Sequence, residues 1–154
     1  MAKEKKKSKF DSKFKSTLPS DKRRVNVLNE RKVREELEKL SFNFKDFDES
    51  QCPPGQTIDD WQKEKRLSVL VKKFIDISMY NVVEAQQLGL LKIYGNFPKN
   101  SEFAVPSHVQ GDVQWGTIQR IGGQKPRLAG YFIGSVFYPV FLDKDHLFFP
   151  TQKK

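Results

Sequence analysis

The sequence holds one cysteine, Cys52, among 154 residues. A single thiol cannot close an internal disulfide, and it cannot build a four-ligand cysteine zinc site or a C-x-x-C redox pair. Histidine is nearly as scarce, with His108 and His146 alone. No apolar run approaches the roughly 20 residues that a membrane-spanning helix needs, so no membrane partner is expected. The basic N-terminus has no apolar stretch behind it, which excludes a secretory signal there. These absences lead to the expectation of a soluble, cytoplasmic protein. Nucleotide-binding signatures are missing as well: there is no G-x-x-x-x-G-K-[ST] and no G-x-G-x-x-G, and Gly122-Gly123 lies between two apolar runs rather than ahead of a helix. No nucleophile elbow is present. A nucleophilic Cys52 is disfavoured, because it precedes Pro53-Pro54 in a turn where nothing lowers its pKa. No cofactor is expected.

What the chain does have is positive charge, unevenly spread. The formal net charge is +9, and residues 1–24 alone carry +7, leaving +2 for residues 25–154. The basicity therefore belongs mainly to a Lys- and Ser-rich head. That head has too little apolar surface to offset its ordering entropy, and it reads as a disordered tail. Residues 25–154 read as one domain, with 13 Phe across the chain to supply a modest core.

Periodicity gives the elements. Val33, Leu37 and Leu40 recur on one face of a predicted helix over 29–40. Phe42 and Phe44 alternate with polar residues in a short strand, and Pro53-Pro54-Gly55 is a turn. The clearest helix is predicted over 57–78, with Thr57 as N-cap, Asp59 and Asp60 in the first turn, and Ile58, Trp61, Leu67, Val71, Phe74 and Ile75, with Leu70 and Ile77, as its apolar set. Asn81 to Glu84 has the spacing of a capping box, opening a shorter helix that ends near Gly89. The segment 90–115 is irregular, with LLKIYGNF as a short strand and a long connection of the kind that often carries function.

Residues 116–149 read as a β-meander: GTIQRI, a turn at Gly122-Gly123, RLAGYFIG, a tight turn at Gly134-Ser135, VFYPVFL, a turn at Asp143 to His146, and LFF. Pro139 cannot donate to a ladder, so either a bulge is expected there or that edge turns away from pairing. The predicted fold class is α+β, with N-terminal helices packed on a small, mostly antiparallel sheet.

Two sets of residues on this sheet have chemistry. Asp143, Asp145 and His146 have the donor types of a metal site, but adjacent residues on a tight turn rarely converge on one ion. The two carboxylates are expected to bond local backbone amides instead, and no metal is assigned. The second set is Arg120, Lys125, Arg127, Lys144 and His146, with Tyr131 and Tyr138 among them. Strict alternation puts Arg127 and Tyr131 on one sheet face, and Leu128, Phe132, Phe137 and Phe141 on the face toward the helices. Cations interleaved with rings suit RNA, because guanidinium groups neutralise phosphate and rings stack on unpaired bases.

The stretch RIGGQKPRLAGYFIGSVFYPVFLDKDHLFF resembles the closing β-meander of the RelE/YoeB-like toxins of bacterial toxin–antitoxin pairs. The resemblance covers the order of elements over 57–149 and the residues of 116–149. It implies two helices on a small antiparallel sheet and a metal-independent endoribonuclease that cuts mRNA on the ribosome. A small antitoxin-like protein would be its partner. By the same resemblance Arg127 would contact the scissile phosphate, Arg120 would be the basic residue of the preceding strand, and His146 would stand near the family's C-terminal catalytic residue. Lys125, Tyr131, Tyr138 and Lys144 would contact RNA. The long segments 41–56 and 92–115, the Asp143/Asp145 pair and the basic head depart from the pattern. The alternative expectation is a non-catalytic protein- or RNA-binding module on the same scaffold, which the carboxylates near the proposed site favour.

Overall fold

The computed structural model describes residues 20–109 and 111–151. Among the described residues, those up to 37 form one unit and those from 38 onward a second. Helix α1 (Ser20–Glu38) starts nine residues ahead of the start predicted at residue 29. It therefore includes the last residues assigned to the tail, whose remainder, 1–19, lies outside the described residues.

In the second unit, strand β1 (Ser41–Phe42) is followed by helices α2 (Ile58–Lys63), α3 (Leu67–Ile77) and α4 (Val82–Gln87). Strands β2 (Leu91–Gly95), β3 (Gln114–Ile118), β4 (Arg127–Ile133) and β5 (Val136–Asp143) complete it. The sheet has the order β1-β5-β4-β3-β2; β1 runs parallel to β5 and the other neighbours are antiparallel. The fold class is α+β, as the sequence pattern indicates.

The caps form as their residue types require. Thr57 Oγ1 accepts from the Asp60 amide at 3.1 Å, and the Asp60 carboxylate accepts from the Thr57 amide at 3.0 Å. Asn81 Oδ1 accepts from the Glu84 amide at 2.8 Å. The single helix predicted over 57–78 is, however, two. The chain turns left-handed at Lys65 (φ 59°), and α3 starts after Arg66, which makes no side-chain cap. The break changes the helical phase, so Trp61, Leu70 and Ile77 are buried while Val71 and Ile75 are exposed.

Leu91, Ile118, Leu128 and Leu142 stand opposite one another across four strands. With Phe132 and Phe137 they form the sheet side of a core closed by Trp61, Leu70, Ile77 and Ala85 of the helices. The opposite face holds a second core of Trp115, Ala129, Tyr131, Val140, Phe141, Phe103 and Phe148. Strict alternation put Phe141 toward the helices. The register shifts where Ala129 faces Phe141 but Gly130 faces Pro139, leaving Val140 as the extra residue. That is the bulge expected at Pro139, and it moves Phe141 to the second face. Gly130 is required there, because a Cβ would lie 2.1 Å from the Tyr138 carbonyl oxygen. The second face is covered by the connection after β2, through Phe97, Phe103, Val109 and Val113, and by residues 147–149. LFF is not a strand: Phe148 is fully buried as an irregular packing residue.

Candidate functional site

A pocket of about 360 Å³ opens where β2, the end of β3, the start of β4 and the turn after β5 meet. Lys92 and Tyr94, two residues apart on β2, share the face that lines it. Arg127 enters from the first position of β4, Gln119 from just past β3, and Asn100 from the long connection. His146 and Phe149 come from the segment after β5.

The turn that delivers His146 is built by Asp143. Asp143 is fully buried and stands opposite Arg127 in the β4–β5 register. Its two carboxylate oxygens accept from the Leu147 amide at 2.8 Å and the Phe148 amide at 2.9 Å. Between these anchors His146 adopts a left-handed backbone (φ 61°), a conformation in which His is several-fold enriched among non-glycine residues. Burial raises the Asp143 pKa, against the opposing pull of the two amides and Arg127. The carboxylate expected to repel a phosphate is therefore enclosed by the turn, while Asp145 is exposed.

Arg127 is half-buried. Among the described residues, its Nε and the hydroxyl of Thr117 are buried without a hydrogen-bond partner. A terminal guanidinium nitrogen donates to the Gln124 carbonyl at 3.5 Å, so the side chain lines the pocket with one buried donor left unpaired, which is costly. Burial lowers the Arg127 pKa, Tyr94 and Asp143 oppose this, and Arg120 adds to it. His146 is held below its ordinary pKa by burial, then by the charges of Arg127, Lys125 and Lys92. It is consequently a neutral imidazole near pH 7, surrounded by cations. Tyr94 and Phe149 stack face to face, centroids 4.2 Å apart and planes 6° apart, with Lys92 Nζ 5.6 Å from the Tyr94 centroid.

Arg127 and His146, both expected at the site, line the same pocket. Arg120 does not line the pocket: it is exposed beyond β3 with φ 57°, and it contributes through its charge. Lys125 likewise acts on His146 at a distance. The other expected RNA contacts lie elsewhere. Tyr131 is 2% exposed, its hydroxyl donates to the Asp46 carboxylate, and its ring stacks on Tyr138 at 4.6 Å. Neither ring belongs to the pocket, because this face is a second core rather than a solvated surface. Lys144 pairs with Glu64 at 2.9 Å, and its amide donates to Gln56 Oε1 at 2.7 Å, so it secures the turn to the α2–α3 junction. Among the described residues, no three His, Cys, Asp or Glu side chains group as metal ligands.

Sequence reasoning missed Lys92, Tyr94, Asn100, Gln119 and Phe149. The alternation of Lys92 and Tyr94 in LLKIYGNF was the available signal. The chain matches no protein-family model, no curated protein and no solved structure.

Proposed function

We propose that the Arg127–His146 pocket cleaves RNA, and that the protein is a RelE-like toxin acting on ribosome-bound mRNA. The observation that carries this reading is the half-buried Arg127 guanidinium, with an unpartnered Nε, in the same pocket as a His146 whose pKa is depressed. Neutral His146 takes the proton from a ribose 2′-OH. The 2′-oxygen attacks the adjacent phosphorus, the bond to the 5′-oxygen breaks, and that oxygen takes a proton from Lys92 or water. The products are a 2′,3′-cyclic phosphate and a 5′-OH. Arg127 and Lys92 stabilise the charge that builds on the phosphoryl oxygens. Inducible expression in bacteria tests this: growth arrest with mRNA cleavage is expected, relieved by Arg127→Ala or His146→Ala in proteins that still fold. Harmless expression of the unaltered protein with intact mRNA would falsify it.

A second reading, a non-catalytic interaction module, is favoured by one observation. Val71, Ile75 and Met79 recur every four residues along α3 and beyond its end, and all are more than half exposed. Such a stripe suits an amphipathic partner helix, the form an antitoxin-like protein would offer. Replacing Val71 and Ile75 with Lys is expected to abolish partner binding in a protein that still folds, and unaltered partner binding would count against this reading.

A further inference from the structure

We infer that the Tyr94–Phe149 stack, with Gln119, forms a nucleobase subsite beside Arg127, so that the substrate is single-stranded RNA with one nucleotide unstacked into the pocket. This rests on the RNA-cleaving reading above and names its substrate form and its base-reading residues.

Phe148 is fully buried within the second core, and its neighbour Phe149, packed with Tyr94 against the edge of that core, is half-buried and lines the pocket. Tyr94 is half-buried too, at the pocket end of β2. Two near-parallel rings 4.2 Å apart already have stacking geometry, and a base laid on the pair extends it by one ring. Lys92 Nζ, close to the Tyr94 ring, marks where a phosphate would run alongside. Gln119 is anchored by its backbone, whose amide donates to the Leu90 carbonyl at 3.0 Å. Its half-buried side-chain amide lines the pocket and carries a donor and an acceptor on one fork, which is what reading a base edge requires. At about 360 Å³ the pocket lies near the low end for small-molecule sites, roughly 300–1,000 Å³, and suits a single nucleotide. A duplex keeps its bases stacked and paired, so it cannot offer one base to this slab while its phosphate reaches the half-buried Arg127.

Full-length protein is titrated with short 2′-O-methyl RNA homopolymers of the four bases, which bind but cannot be cut. An abasic backbone and a duplex of the same length serve as comparisons. The expected result is that at least one homopolymer binds roughly tenfold or more tightly than the abasic backbone, the size of one base–aromatic stack, and more tightly than the duplex. Phe149→Leu and Tyr94→Leu each close most of that gap, weakening homopolymer binding by more than abasic binding. Gln119→Ala levels the differences among the four bases. If the unaltered protein binds the abasic backbone as tightly as every homopolymer, and Arg127→Ala weakens all of them, the base subsite is overturned and the phosphate site stands. If no oligomer binds, both fall.

Discussion

Asp143 is where the fold and the site are joined, and its removal has a calculable cost. Its oxygens hold the Leu147 and Phe148 amides at 2.8 and 2.9 Å inside a side chain with no solvent exposure. Hydrogen bonds to a charged group contribute about 1.5–3 kcal/mol each, and leaving a buried amide unpaired costs about 1–3 kcal/mol. Asp143→Ala frees both amides but lets water approach the opened turn, so a loss of about 2–4 kcal/mol is expected. Asp143→Asn keeps one acceptor and turns an N–H toward the other amide, a loss of about 1–3 kcal/mol. Urea unfolding measures the stability. Amide exchange at Leu147 and Phe148 locates the effect, and both amides should lose protection in the alanine variant. The left-handed backbone at His146 relaxes with the turn, so RNA cleavage falls in both variants even where the protein remains folded. Because burial raises the Asp143 pKa, its contribution is fully present below the ordinary carboxyl value near 4 and declines as pH rises through the raised one. An Asn variant with unaltered stability, protection and cleavage would refute the claim that the carboxylate holds the turn.

Arg127→Ala removes one of the charges depressing His146, so the imidazole pKa should rise toward its ordinary value, read by NMR titration of its ring protons. In the unaltered protein the His146 contribution to stability is present above about pH 6.5 and is lost as pH falls through the lowered value; His146→Gln should flatten that slope. Tyr131 is pushed up to about 12, by burial first and then by Asp46. Its contribution is therefore complete below pH ~10 and lost on the way to pH 12, a dependence that Tyr131→Phe should remove from alkaline unfolding curves. The same variant leaves Asp46 with Lys45 at 2.9 Å and should cost about 1.5–3 kcal/mol at neutral pH, measured by urea unfolding. Gly130→Ala places a carbon 2.1 Å from a backbone oxygen at the bulge, and a loss of about 3 kcal/mol or more is expected in thermal unfolding.

Residue patterns that act locally were legible in the sequence. Thr57 with Asp60 and Asn81 with Glu84 cap their helices because their side chains need only their own first turn. Pro139 announced a bulge by lacking an N–H. The Asp143 turn could be read from the affinity of short carboxylates for nearby amides. What alternation could not carry was the phase beyond the bulge: one extra residue sent Phe141 to the second core. That second core, assembled from Phe97, Phe103 and Phe148 at long sequence separation, also enclosed Tyr131. The helix break at Lys65 had no Pro or Gly to mark it. Arg127 and His146 share a pocket because a strand start and a nearby turn end lie at the same edge of a meander. Lys92, Tyr94 and Asn100 reach that edge from a stretch too irregular to place without the β2–β3 register.

The most direct test of the account is the chemistry of the cut. Purified full-length protein is incubated with programmed ribosomes, and the ends of the mRNA fragments are identified. Cleavage at the Arg127–His146 pocket is expected to leave 2′,3′-cyclic phosphate and 5′-OH ends, formed in the presence of a metal chelator and absent with folded Arg127→Ala or His146→Ala protein. Intact mRNA, or fragments ending in 3′-OH and 5′-phosphate, would contradict it.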